Sequence, residues 1–346
     1  MNDAERAAAR LDSIVEAFEG CESFLIQAHN NPDPDSIACA FALRYLVQRY
    51  TGHTAVIAFG GIVGRSENRA MVRELDIPLT PGSLLDYHAY DFTAVCDTQP
   101  GTNHTSFPEG FVPTVVIDHH PAREASAGCS VCIIEPGYGA TSTLVAEMLL
   151  AKGIPIPVDV ATALYFGIRT ETAELSRDTT ETDVRVYREL EKLVDRRVLS
   201  RIESERVPRE YFVDLAAAIE RATLHGDVVV SGLDRVRVPD MVPEMADFLL
   251  RADCVRWSCV SGAYKDTLYV SMRTVDEEAD AGAAMMKLLP SNGSGGGHPS
   301  MAGGQIPLVG LDEARRRAAS DAFLARFVEH VLGDVSEGEP LVRRPR

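Results

Sequence analysis

Ser23-Phe24-Leu25-Ile26-Gln27-Ala28-His29-Asn30-Asn31-Pro32-Asp33-Pro34-Asp35-Ser36-Ile37-Ala38-Cys39-Ala40 sets the fold class. Its apolar opening, Ser23–Ala28, reads as a short buried strand. The polar middle reads as a loop, and the run Ser36–Val47 reads as a buried helix with Asp35 or Ser36 as its N-cap. Strand, loop and helix in that order begin a parallel β/α unit. Further strands are expected at Thr54–Phe59, Phe92–Cys96, Thr114–Ile117 and Cys129–Ile134. Helices are expected at Thr141–Ala151, Val158–Ile168 and Thr182–Val194. This alternation predicts an α/β fold whose N-terminal parallel sheet has helices on both faces.

Acidic and histidine residues recur where those strands should end. His29, Asp33 and Asp35 follow the first strand, Asp97 follows Phe92–Cys96, and Asp118-His119-His120 follow Val115-Val116-Ile117. Thr170-Glu171-Thr172 makes a fourth cluster. In open parallel sheets, ligands collect beyond the carboxyl ends of the strands. Pro32 and Pro34 fix the backbone so that Asp33 and Asp35 can reach different cations. Taken singly, each cluster has a plainer reading: an Asp/Pro turn, a capping Asp, a loop histidine. Together they predict a divalent-metal site, and oxygen-rich coordination with one histidine per ion suits Mn²⁺ or Mg²⁺ better than zinc. A pair of such ions is suited to hydrolysing phosphate esters.

The chain's 346 residues exceed what one core usually supports, so two domains are expected. A net charge of −17 argues against a long nucleic-acid footprint, which needs a basic surface. Met1–Arg10 lacks the apolar core of a signal peptide and no membrane-length apolar run occurs, so a cytoplasmic address is expected. Seven scattered cysteines suit buried thiols in a reducing compartment. Cys129 and Cys132 form a C-x-x-C with no second pair to complete a zinc site.

Residues Arg196–His225 are highly charged and read as a helical connector. Beyond them, strands are expected at Asp227–Ser231, Val255–Ser261 and Thr267–Met272, with helices at Pro243–Ala252, Ala279–Leu289 and Asp312–Leu332. The boundaries are thus 1–195, a linker 196–225, a smaller α/β domain with a mixed sheet over 226–335, and a frayed tail 336–346. Gly295–Gly304 reads either as a surface loop or as backbone that approaches a phosphate closely. Arg273, ending a strand, is well placed to clamp one. Gly60-Gly61 is a weaker candidate for touching ligand.

In order, HNNPDPDSIA (His29–Ala38), VCDTQ (Val95–Gln99), DHH (Asp118–His120), GIRTET (Gly167–Thr172) and GGGHPSMAGG (Gly295–Gly304) resemble the DHH/DHHA1 phosphoesterases. Within that family the set is most similar to the nanoRNases (oligoribonucleases) and 3′-phosphoadenosine 5′-phosphate (pAp) phosphatases. The resemblance implies a DHH catalytic domain, a linker and a DHHA1 substrate-binding domain, with two Mn²⁺ ions that Mg²⁺ or Co²⁺ can replace. It places His29 and Asp33 on one ion, Asp35 and His119 on the other, and Asp97 between them. His120 would contact the phosphoryl group, and Asp118 would orient the histidines. Arg273, Gly296, Gly297, His298, Gly303 and Gly304 would grip the nucleotide. The sequence departs from the family's T-D-T-G at Glu171 and Ala173, with Glu171 standing as the expected ligand. The implied activity is hydrolysis of short oligonucleotides to mononucleotides, and of pAp to AMP. A RecJ-type exonuclease, a cyclic-dinucleotide phosphodiesterase, a pyrophosphatase and a non-catalytic nucleotide sensor are the alternatives. A twofold homodimer is the expected assembly.

Overall fold

β1 (Phe24–Ala28) is buried at every position, as a strand with neighbours on both sides must be. It belongs to a six-stranded sheet with β2 (Val56–Phe59), β3 (Leu79–Pro81), β4 (Phe92–Cys96), β5 (Val115–Asp118) and β6 (Val131–Ile134). All pairings are parallel, in the order β3-β2-β1-β4-β5-β6. The chain therefore builds outward from β1 to β3, then returns to lay β4 on the other flank of β1. That reversal opens a crevice at the carboxyl ends of β1 and β4. The computed structural model describes residues 2–102, 104–334 and 337–342, and the chain divides into compact units at Arg206/Val207.

Among the described residues, seven α-helices accompany the first sheet: α1 (Asp3–Glu16), α2 (Pro34–Thr51), α3 (Ser66–Glu74), α4 (Thr141–Ala151), α5 (Val158–Glu171), α6 (Glu181–Glu191) and α7 (Arg196–Glu203). All seven contribute buried apolar residues to one core with Phe24, Ile26, Ile57, Phe92, Ala94 and Ile117. Leu25 and Ala58 alternate to the other face, where they pack with Tyr87, Phe107 and Phe111. There the Tyr87 hydroxyl donates to the buried Gln27 Oε1 at 2.7 Å. The helices expected on both faces thus share one core. Aromatic side chains from a one-turn 3-10 helix (Tyr87) and from loops (Phe107, Phe111) close the other face.

Other differences are local. Asp33, not Asp35 or Ser36, caps α2, with Pro34 in the first turn. Pro at that position loses no hydrogen bond, which moves the start two residues earlier. The short edge strand β3, α1 and α3 were not anticipated.

The second unit contains β7 (Thr223–His225), β8 (Val228–Arg235), β9 (Trp257–Tyr264), β10 (Thr267–Thr274), β11 (Ser294–Gly297), β12 (Met301–Pro307) and β13 (Glu339–Pro340). They form a mixed sheet, β11-β12-β10-β9-β8-β7-β13, in which only β8 and β9 pair in parallel. α10 (Ala281–Leu288) and α11 (Glu313–Leu332) share one core with the sheet, while α8 (Arg209–Arg221) and α9 (Met241–Leu249) share another. The stretch read as a connector is split. Leu199 and Ile202 of α7 join the first core, whereas Ala218 of α8 joins a core of the second unit. The tail read as frayed contributes β13, which pairs with β7, and the Leu341 amide donates to the Ala222 carbonyl at 2.9 Å. Its residues 336 and 343–346 lie outside the described set.

One contact fixes how closely α5 approaches the end of α2. A Cβ on Gly167 would stand 2.6 Å from Ser142 Oγ and 3.1 Å from both the Asp35 Cα and the Pro34 carbonyl oxygen. Gly167→Ala is expected to cost about 1–3 kcal/mol through overpacking, read as a lower urea midpoint with unchanged slope.

Candidate metal centre

The register of three adjacent strands carries the acidic residues to one edge. Ala28 pairs with Cys96 and Cys96 with Ile117, so His29, Asp97 and Asp118 each stand one residue beyond a paired row. The Asp97 amide donates to the Ile117 carbonyl at 2.9 Å, which extends the ladder into the site. Asp97 then adopts a left-handed backbone, φ +58°. That conformation is costly for most side chains and is tolerated best by Asp and Asn. Ser36 ties the same corner together: its hydroxyl accepts from the His29 amide at 3.0 Å and donates to the Cys96 carbonyl at 3.2 Å.

Two triads result, each with its ligand atoms within 4.8 Å of one another: His29, Asp33 and Asp97, and Asp97, His119 and His120. His29 Nε2 stands 3.4 Å from Asp33 Oδ1 and 3.6 Å from Asp97 Oδ2. His119 Nε2 stands 3.6 Å from Asp97 Oδ1. His29 Nδ1 lies 3.0 Å from the Asn30 carbonyl oxygen, and His119 Nδ1 lies 3.1 Å from that of Tyr138. Each carbonyl fixes the tautomer that turns Nε2 towards Asp97. Asp33 caps α2 and faces His29 with the same oxygen, so its structural and site roles coexist. Neither Asp35 nor Glu171 belongs to either triad among the described residues.

Asp35 is buried, and both its oxygens accept from the start of α4, from the Thr141 and Ser142 amides at 2.7 Å each. Thr141 also donates its hydroxyl to Asp97 Oδ1 at 2.7 Å. A helix N-terminus with its unpaired amides is a natural support for buried carboxylates. The run Gly137-Tyr138-Gly139-Ala140-Thr141 thus supplies three contacts to the site that sequence reading missed. Its signal was the cluster of small residues before a helix. Gly60-Gly61 contributes shape instead: a Cβ on Gly60 would fall 1.7 Å from Asn30 Oδ1, and the Gly60 carbonyl accepts from the Asn31 amide at 2.9 Å.

The charges are out of balance. Burial, with Asp35, Asp33, Asp118 and Glu171 nearby, pushes the Asp97 carboxyl well above its usual range. Burial beside Asp33 and Asp35 raises Glu171 to about 7. Burial would lower His29, but the charge and hydrogen bond of Asp33 raise it to about 9. Protons are standing in for cations here, and a shared carboxylate between two triads fits a pair of divalent ions. Beyond Glu171 the backbone is also unusual, with Ala173, Glu174 and Leu175 at φ +46°, +60° and +63°. The Leu175 amide donates to Thr172 Oγ1 at 3.1 Å, and Arg177 Nη2 donates to the Glu171 carbonyl at 2.6 Å.

The expected nucleotide-gripping residues lie on the second unit and divide into two groups. Gly296 and Gly303 are paired across β11 and β12. A Cβ on Gly296 would meet nothing within 4 Å, and one on Gly303 only the Val270 carbonyl at 4.0 Å. Gly297, though exposed, has no room for a Cβ, which would collide with the Met301 carbonyl, and Gly304 is buried, where a Cβ would stand 2.8 Å from Met285 Sδ. His298 makes the turn between the strands, its amide donating to the Met301 carbonyl at 2.8 Å and its carbonyl accepting from the Gly282 amide at 3.1 Å. Arg273 is buried, bonded to Asp247, to Ser271 Oγ at 2.7 Å and to the Met272 carbonyl at 2.9 Å. All seven cysteines are free thiols. No helix among the described residues is long and apolar enough to cross a membrane.

Two outcomes follow from the unbalanced charge. Asp97→Asn keeps a residue suited to φ +58° and removes a carboxylate that the metal-free site disfavours. Its melting temperature in chelator should rise, by about 2–4 °C per kcal/mol gained, while calorimetric Mn²⁺ binding is lost. For the native chain, Mn²⁺ must displace the His29 proton at any pH below about 9. Apparent affinity should therefore increase as pH rises towards 9, with proton release visible in buffers of different ionisation enthalpy.

Residues 23–168 match the DHH family N-terminal domain and residues 225–328 match the DHHA1 domain. An uncharacterized protein of Methanocaldococcus jannaschii is 32% identical over 89% of this chain and 64% of its own length. A probable manganese-dependent inorganic pyrophosphatase of Lactiplantibacillus plantarum is 26% identical over 49% of this chain and 55% of its own. The chain thus spans between half and two thirds of these curated relatives. An exopolyphosphatase-related protein from Bacteroides fragilis shares the fold, with a TM-score of 0.70 at 18% identity, covering 94% of this chain and 98% of the other. With the paired motifs now placed on one sheet edge and both domain types present in order, the chain belongs to the DHH family, with a DHHA1 domain following its DHH domain.

Proposed function

We propose that this chain is a divalent-metal-dependent phosphoesterase that hydrolyses very short oligonucleotides, pNpN dinucleotides above all, and that also accepts pAp. The carrying observation is the Asp97 carboxylate, shared by the two histidine-containing triads and set among too many acidic groups to remain cation-free. His29, Asp33, Asp97 and His119 would hold two ions, Mn²⁺ in the first instance, with Asp35 and Glu171 adjoining. Such ions supply Lewis acidity, which neutralises phosphoryl charge and acidifies water.

The chain's own groups do the rest. Asp118 Oδ1 holds His120 Nδ1 at 2.8 Å, so Nε2 is the nitrogen that can reach a phosphoryl or leaving oxygen. Burial would lower His120, but Asp118 raises it, which suits a proton donor to a departing oxygen. Asp35, clamped by the α4 amides, keeps its carboxylate aimed while water is excluded around it. On the second unit, the open surface at Gly296 and Gly303 lets a nucleotide lie against backbone. The net charge of −17 favours short ligands over long strands. Inorganic pyrophosphate is the second reading, favoured by the names of the relatives that match about half the chain.

The test runs the full chain with Mn²⁺ on pApA, pAp, cyclic di-AMP and pyrophosphate side by side. Dinucleotide should be cleaved fastest and pyrophosphate slowest, and Asp97→Ala should remove at least about 10³-fold of kcat. Faster turnover of pyrophosphate than of pApA would replace this reading with the second. Dinucleotide binding without any turnover would leave a nucleotide sensor.

A further inference from the structure

Gln99 closes the VCDTQ motif two residues beyond Asp97, and it is 1% exposed. Its amide is satisfied on both ends. Oε1 accepts from the Arg123 backbone amide at 2.8 Å and from the Ser126 hydroxyl at 3.0 Å. Nε2 donates to Asp118 Oδ2 at 2.6 Å and to the Pro121 carbonyl at 3.0 Å. The orientation is unambiguous, because a flipped amide would set its NH₂ against the Arg123 N–H and its oxygen against a carboxylate and a carbonyl. The other Asp118 oxygen lies 2.8 Å from His120 Nδ1. With one oxygen held by Gln99, Asp118 can act only as an acceptor towards His120.

We infer that Gln99 is a positioning residue: by fixing the Asp118 carboxylate it keeps a proton on His120 Nδ1 and turns Nε2, which carries the donated proton when the ring is charged, towards the phosphoryl group. The same amide ties Pro121, Arg123 and Ser126, so one side chain braces the whole turn that follows the DHH motif. The inference rests on the proposed role of His120, and its test separates the two.

Three variants of the full chain are compared: Gln99→Glu, Asp118→Asn and the pair together. Gln99→Glu sets oxygen against oxygen at Asp118 with almost no change of shape. It should lower kcat on pApA about 10–100-fold with Mg²⁺ content and KM nearly unchanged, as for other residues that orient a site histidine. In the double variant, the NH₂ introduced at position 118 can donate to the carboxylate introduced at position 99, and its oxygen can still accept from His120. The pair should therefore exceed Asp118→Asn alone by at least about fivefold. Side-chain ¹⁵N spectra of the Mg²⁺-loaded chain report the His120 tautomer whether or not any substrate is turned over. The native chain and the double variant should show Nδ1 protonated, and Gln99→Glu should lose that form. If Gln99→Glu keeps the native tautomer, or if the double variant is slower than both singles, Gln99 does not position His120. If the tautomer is lost while kcat stays within about twofold, Gln99 acts as stated and the catalytic role given to His120 fails.

Discussion

Carboxylates forced out of water at the end of a parallel sheet are the constraint on which the first unit is built. Asp35, Asp97 and Asp118 are buried together with His119. Isolated charges in such surroundings are expensive, so each must meet donors, cations or protons. The structure meets much of that demand with backbone amides and neutral side chains. Amides at the start of α4 take Asp35, a threonine hydroxyl takes Asp97, and a glutamine amide takes Asp118. What remains unbalanced is Asp97 among Asp35, Asp33, Asp118 and Glu171, a crowding of carboxylates that divalent ions would relieve.

The topology decides where this occurs. Because β4 returns to the flank of β1, the chain segments leaving those strands diverge and leave room above the sheet edge. His29 and Asp97 issue from those two strands, and Asp118 from the next. A sheet of the same composition with sequential strand order would scatter them. Close helix packing then matters as much as strand order, since Gly167 brings α5, and Glu171 at its end, against the turn that carries Asp35.

Sequence reading recovered the elements whose signal is local and strong. Phe92–Cys96 and Thr141–Ala151 are found with the expected limits, and the remaining strands of the first sheet, except β3, fall within two residues of expectation. The strand-end pattern alone was enough to gather His29, Asp97 and Asp118–His120. What escaped was of another kind. The Thr141 and Ser142 amides, the Tyr138 carbonyl and the Gln99 amide act through backbone or through ordinary polar side chains, whose identity says nothing until the fold brings them near. The cover of aromatics over Leu25 and Ala58 has no periodicity to read. The glycine tract kept two readings because adjacent glycines face opposite ways: Gly296 towards open space, Gly297 into its neighbours.

The three left-handed residues after Glu171 bear on how this part of the molecule can diversify. Each non-glycine residue there carries a conformational penalty of about 1–2 kcal/mol, which the turn offsets through its anchors, among them Thr172, Arg177 and the Arg169–Glu174 ion pair. A glycine at 173 would relieve its share of that burden and loosen the dependence on Arg177.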